Sequence, residues 1–130
     1  MSNQEASKDN VIDTKNPSWR SELKKQISGK DRTSLSRVKM SELPPDVRNK
    51  NYEEVNRGLT LTEAMQEAKR CLDCPNPGCV QGCPVGIDIP SFIKRIEVGQ
   101  ILDAAKVLKE TSALPAVCGR VCPQEKQCEA

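Results

Sequence analysis

The sequence predicts an all-helical fold, and three observations predict it. No segment sustains the apolar–polar alternation of period two that a half-buried strand needs. Apolar residues recur instead at helical spacing, as in Leu61, Ala64, Met65 and Ala68, and again in Ile101, Ala104, Ala105 and Leu108. Helix-start signals stand directly before such stretches: Thr60-x-x-Glu63 is a capping box, and Ile89-Pro90 puts proline where a first turn needs no amide donor.

Taken in order, residues 1–34 read as a poorly structured polar extension. Ser, Asn, Lys, Asp and Glu dominate to about Lys30, a balance that buries too little apolar surface to offset chain entropy. Within it, Pro17 can start a short helix that runs through Trp19, Leu23 and Ile27 and stops at Gly29. From Ser34 the chain should run extended across a surface to the stiff Pro44-Pro45 pair, with a helical turn or two between Asp46 and Asn56 before Gly58. The helix capped by Thr60 should deliver Cys71 and Leu72 at its end, on the face of Leu61, Ala64, Met65 and Ala68. Cys74-Pro-Asn-Pro-Gly-Cys79 has turn chemistry throughout and reads as a loop. A helix opened by Pro90 puts Phe92, Ile93 and Ile96 on one core face and ends near Gly99. The helix from Ile101 follows at once, so the two form a hairpin. Residues 116–122 read as one or two turns that bring Cys118 and Cys122 to one side.

The functional signal is in the cysteines. All seven lie at or beyond position 71, as Cys71-x2-Cys74-x4-Cys79-x3-Cys83-Pro84 and Cys118-x3-Cys122-Pro123-x4-Cys128. A 4Fe-4S cubane takes four soft thiolates, and such short steps let one loop supply several. Proline after Cys83 and Cys122 fits the bacterial two-cluster pattern, in which the cysteine before proline serves the other cluster. The prediction from the residues is an all-helical fold around iron–sulfur clusters; seven thiolates are one short of two cubanes.

Other readings are weaker. A disulfide framework expects an even count and an export signal, whereas the count is odd and Met1 to Asn10 is polar. Zinc on Cys71, Cys74, Cys79 and Cys83 leaves three cysteines unexplained, and the chain has no histidine for a mixed site. Twenty basic and eighteen acidic residues are interleaved, and Trp19, Tyr52 and Phe92 are the only aromatic residues, which argues against nucleic-acid binding. No apolar run is long enough to span a bilayer, and free thiols without an export signal point to the cytoplasm. With so few large apolar residues, bound clusters should contribute to folding.

The runs Arg70-Cys-Leu-Asp-Cys-Pro-Asn-Pro-Gly-Cys-Val-Gln-Gly-Cys-Pro-Val-Gly-Ile-Asp-Ile-Pro90 and Leu114-Pro-Ala-Val-Cys-Gly-Arg-Val-Cys-Pro-Gln-Glu-Lys-Gln-Cys-Glu129 resemble the N-terminal cluster domain of the NADPH-dependent glutamate synthase small subunit. The resemblance covers about residues 35–130. The same domain type occurs in dihydropyrimidine dehydrogenase, sulfide dehydrogenase and ferredoxin:NADP oxidoreductase, and Arg37 to Asn51 looks most like the glutamate synthase members.

The resemblance implies an α-helical, ferredoxin-like domain of short helices and loops over residues 35–130, built around two 4Fe-4S clusters with crossed ligands. Cys71, Cys74 and Cys79 would hold one, and Cys83, Cys122 and Cys128 the other, each with a fourth ligand beyond Ala130; Cys118 would be a packing residue. The local alternative places Cys71, Cys74, Cys79 and Cys83 on one cluster. The resemblance also implies FAD and NADPH domains downstream, and a glutamate synthase large subunit or another redox subunit as partner; homo-oligomerisation is left open. No glycine-rich dinucleotide loop, paired carboxylates or nucleophile–base set occurs in the chain, so by itself it reads as an electron relay rather than a catalyst. The alternatives are the same module in a sulfide or ferredoxin:NADP enzyme, and a zinc-held interaction module. Arg120 and Lys126, beside the second cysteine group, would offset cluster charge or face a partner, against the commoner reading of ordinary surface charge.

Overall fold

The computed structural model describes residues 17–130; the polar stretch before Pro17 lies outside it. Among the described residues no strand forms, and helices carry the architecture: α1 Ser18–Gln26, α2 Gly29–Ser34, α3 Pro45–Arg48, α4 Leu61–Ala68, α5 Gly78–Gln81, α6 Ile89–Glu97, α7 Ile101–Thr111, α8 Pro115–Val121 and a 3₁₀ turn Gln124–Lys126. The all-α expectation holds. The α6–α7 hairpin forms as predicted, turning at Gly99 with φ of 78°, a left-handed conformation that suits glycine. Helix α4 packs on the same α6.

Several boundaries differ from the sequence reading, each for a local reason. Gly29 opens a second helix rather than only closing the first, because the Ser28 side chain accepts a hydrogen bond from the Asp31 amide at 3.2 Å and caps α2. Pro45 begins α3 one residue early, since a first-turn position costs proline no hydrogen bond. After α3 the chain pairs briefly with the preceding segment. Leu43 N–H donates to Val55 at 2.8 Å, and Arg57 N–H donates to Ser41 at 2.8 Å.

Both halves of the capping box form: Thr60 N–H donates to Glu63 at 2.8 Å, and Glu63 N–H donates to the threonine hydroxyl at 3.3 Å. Helix α4 then ends at Ala68, so Cys71 and Leu72 sit beyond it in the loop rather than on its face. The expected loop Cys74–Cys79 is interrupted in turn: α5 starts at Gly78 and carries Cys79 in its first turn.

The largest departure concerns α6. Its apolar residues Phe92, Ile93 and Ile96 are only half-buried, while beside Pro90 the buried ones are Ser91, Lys94, Arg95 and Glu97. The aliphatic core of the described residues is correspondingly small, comprising Ala68, Ala104 and Val107. The buried side of α6 instead meets arginine from the two N-terminal helices. Arg32 of α2 donates to Glu97 at 3.0 and 3.2 Å, and Arg20 of α1 donates to the Ser91 hydroxyl at 2.9 Å. The Arg95 guanidinium stacks 5.7 Å from the centre of the Trp19 ring.

Candidate metal centre

Seven cysteines are free thiols, and five of them line cavities beside α6. Cys71 lies in the loop after α4 and lines a cavity of about 590 Å³ between α4 and α6, with Ala64, Ala68, Ile93 and Ile96 in its walls. Cys83, Cys118, Cys122 and Cys128 line a second cavity of about 270 Å³, walled by Ile89, Phe92 and Ile93. The half-buried apolar face of α6 thus faces the cysteine cavities, and Ile93 and Glu129 line both of them. Sequence periodicity finds this face but assigns it to core.

The thiols also sort electrostatically. Burial pushes the Cys79 thiol up, and the charge of Cys71 adds to it, with a smaller contribution from Cys128. Burial likewise raises Cys71, with Asp73 and then Cys74 adding against the opposing Asp73 amide and Lys94 charge. Cys128 is raised by burial first, then by Glu129, Cys122 and Cys83. Charge thus links Cys71 with Cys74 and Cys79 as one neighbourhood and Cys128 with Cys83 and Cys122 as another, and Cys79 also feels Cys128 across the two.

Cys83 behaves differently from the raised thiols. Burial pushes it up, but backbone hydrogen bonds from Ile87, Val85 and Gly86 outweigh that and hold it below its ordinary value. Free amides directed at a sulfur favour the thiolate, and around an iron–sulfur centre they also set the reduction potential. Cys122 donates to the Gln127 side chain at 3.1 Å. Cys118 lies 3.9 Å from the hydroxyl of the buried Ser112, the one thiol with a side-chain hydroxyl beside it among the described contacts.

Two local features hold these loops in place. Between Cys71 and Cys74, Asp73 adopts φ of 53°, an uncommon left-handed conformation that aspartate tolerates better than most residues. Its carboxylate is 4 % exposed and receives Arg20 Nε at 3.0 and 2.9 Å, with Lys24 at 3.4 Å. Arg20 also reaches Ser91, whose hydroxyl donates to Asp88, the N-cap of α6, at 2.7 Å. One arginine from α1 thereby ties the Cys71–Cys74 loop to the start of α6. The second feature is Gly82, where a Cβ would lie 2.6 Å from the Gln127 carbonyl oxygen. That close approach lets the Cys79–Cys83 segment lie against Cys128.

Sequence reasoning missed Arg20, Arg32, Asp73, Lys94 and Glu97, since isolated charges at long separation carry no spacing signal. Arg120 pairs with Glu54 at 2.8 and 3.2 Å, joining α8 to the segment before Gly58. Among the described residues no three His, Cys, Asp or Glu side chains gather closely enough to hold a single metal ion. The donor set nevertheless suits a multi-iron cluster, whose sulfur ligands stand apart around its corners: every candidate donor is a thiol, Cys71, Cys83, Cys122 and Cys128 line two cavities, and backbone amides reach Cys71, Cys79, Cys83 and Cys128. No described helix is long and apolar enough to cross a membrane.

Short helices holding two neighbourhoods of cysteine around one helix define a helical iron–sulfur electron-transfer domain. Residues 48–130 match the family described as dihydropyrimidine dehydrogenase domain II, 4Fe-4S cluster, and the chain belongs to that family. It is 40% identical over 95 residues to the glutamate synthase [NADPH] small chain of Escherichia coli (strain K12), covering 73% of this chain and 20% of the relative. It is 42% identical over 86 residues to the protein of the same name from Halomonas elongata, covering 66% of this chain and 18% of that one. It is 44% identical over 80 residues to the NAD-dependent dihydropyrimidine dehydrogenase subunit PreT homolog of Salmonella typhi, covering 61% and 19%. The chain thus spans about a fifth of the length of these relatives.

Proposed function

We propose that this chain is the N-terminal relay of a glutamate synthase-type small subunit, holding two 4Fe-4S clusters in crossed fashion. Cys71, Cys74 and Cys79 serve one cluster and Cys83, Cys122 and Cys128 the other, each completed by a ligand from outside this chain. The observation that carries the reading is the opening of Cys83 into the cavity of Cys122 and Cys128 rather than into that of Cys71. This favours the crossed set over the local set of four; Cys118 lines the same cavity, and its part as a packing residue rests on the resemblance and on its contact with the Ser112 hydroxyl.

Bound clusters supply one-electron transfer, which divides the electron pair that NADPH delivers through FAD. The chain's own residues position the thiols, exclude water with the apolar face of α6 and aim amides at Cys83. All six ligands lie in residues 35–130, the proposed cluster domain, and the preceding segment braces it through Arg20 and Arg32. FAD and NADPH would bind elsewhere in a complete protein, in the cytoplasm. The partner would be a large subunit that forms glutamate from glutamine and 2-oxoglutarate. The relatives' designations as a small chain and a subunit support a partner of this kind.

Anaerobic reconstitution of the complete protein with iron and sulfide should yield two reducible cubanes by electron paramagnetic resonance, and turnover with the large subunit should form glutamate. One cluster, or stoichiometric zinc without acid-labile sulfide in native protein, would refute the reading. The 44% identity to the dihydropyrimidine dehydrogenase subunit homolog favours a second reading, the same relay serving pyrimidine reduction. Pyrimidine-dependent NADH oxidation without glutamate formation would select it.

A further inference from the structure

Three buried charges of the described chain lie together behind the Cys71 loop, on the side of α6 away from the cysteine cavities. Lys94 is 0% exposed, Arg32 2% and Glu97 5%. Glu97 accepts Lys94 Nζ at 2.7 Å and the Arg32 guanidinium at 3.0 and 3.2 Å. The remaining donors go to backbone: Arg32 to the carbonyls of Lys69 at 2.6 Å and Leu23 at 2.8 Å, and Lys94 to the carbonyl of Cys71 at 2.7 Å. Every buried side-chain nitrogen and oxygen among the described residues has a partner.

Hydrogen bonding is therefore complete, but charge is not. Two cations share one anion, leaving a net positive charge where solvent cannot screen it. An Arg32–Glu97 pair alone would balance, and a third buried ion adds desolvation cost without need, unless another anion offsets it. The Lys94 ammonium is held on the backbone of Cys71, and its charge is felt at that thiol. The charges on the other side of the loop balance differently: Arg20 and Lys24 face Asp73, with Asp88 behind. The cavity of Cys83, Cys122 and Cys128 has no such cation in its lining. Its walls are largely apolar, and its charged lining residue, Glu129, also lines the Cys71 cavity, where Arg37 pairs with it at 3.2 Å.

We propose that Lys94 is a positioning residue whose surplus charge makes the Cys71–Cys74–Cys79 site the more readily reduced of the two, so that an electron entering the domain rests there. The inference rests on the two-cluster reading above. Reduction adds one electron, and one negative charge, to a four-thiolate cubane; the donor is a reduced flavin in the working protein, or dithionite in a titration, and no bond or proton need move. A cation fixed on the Cys71 backbone offsets the added charge at that site more than at the other.

The test is an anaerobic redox titration of the complete protein with dithionite, followed by electron paramagnetic resonance. Lys94→Gln keeps a donor for the Cys71 carbonyl, removes the charge and leaves Arg32 and Glu97 balanced. It should lower the reduction equilibrium constant of one cluster by about three- to tenfold, tenfold being about 59 mV for one electron, and Lys94→Arg should restore it. The affected signal should be the one that Cys74→Ser perturbs. Unchanged potentials, equal shifts of both clusters, or a shift confined to the other signal would overturn the proposal. Should Lys94→Gln fail to hold its cluster, Glu97→Gln enlarges the surplus and must move the same signal upward; no upward shift overturns it as well. Fewer than two reducible clusters in the unsubstituted protein would instead refute the two-cluster reading, and this inference with it.

Discussion

Gly82 shows how one atom can decide whether two cysteine segments meet. Its φ of −76° is open to any residue, so the need for glycine is steric: a methyl group would press on the Gln127 carbonyl. Gly82→Ala should displace the Cys128 loop and reduce the iron content of the second site, leaving the first close to normal. Iron and acid-labile sulfide per chain, read beside the two paramagnetic signals, check this. At Cys118 the expectation is reversed: Cys118→Ala should retain both clusters, whereas Cys122→Ala should lose one. Arg20 and Asp73 form a mostly buried, multiply hydrogen-bonded pair, the kind worth about 2 kcal/mol. Arg20→Ala should therefore cost about that much, measured by denaturant unfolding, and speed iron loss to a chelator.

Among the elements, α6 does the most, because two unlike faces serve two purposes. Its apolar face lines both cysteine cavities, and its opposite face buries charge against α1 and α2. The Asp88 side chain caps its first turn, accepting from the Ser91 amide at 3.2 Å, and also holds the Ser91 hydroxyl that Arg20 reaches. Asp88→Ala should cost about 1 kcal/mol from the cap and release this link as well. Hydrogen exchange should then quicken in the first turn of α6 and in the Cys71–Cys74 loop together. Faster exchange in α6 alone would show that the two are not coupled.

For the molecule as a whole, the aliphatic core is too small to carry the fold unaided. Ala68, Ala104 and Val107 contribute little side-chain surface, and exposed residues such as Leu102, Leu114 and Val121 contribute less. On the proposed two-cluster reading, bound clusters would act as cross-links between the loops, and binding energy at the thiolates would become folding energy. Chelation of iron under anaerobic conditions should lower the thermal midpoint and broaden the transition, followed by circular dichroism. An unchanged midpoint would mean that the buried ion pairs and the α6–α7 hairpin suffice.

By itself the sequence determined the helical class, the capped start of α4, the α6–α7 hairpin and the iron–sulfur character, because each is carried by residues close in the chain: a cap three residues from its partner, a repeat of three or four, cysteines three to six residues apart. Only the tertiary structure decided which cavity Cys83 enters, that α6 presents its apolar face to the cysteines, and that Arg20 and Arg32 brace the site. Those outcomes depend on residues 53 and 65 positions apart, such as Arg20 with Asp73 and Arg32 with Glu97. A buried charge is permitted only where a distant partner meets it, and that meeting leaves no local pattern to read.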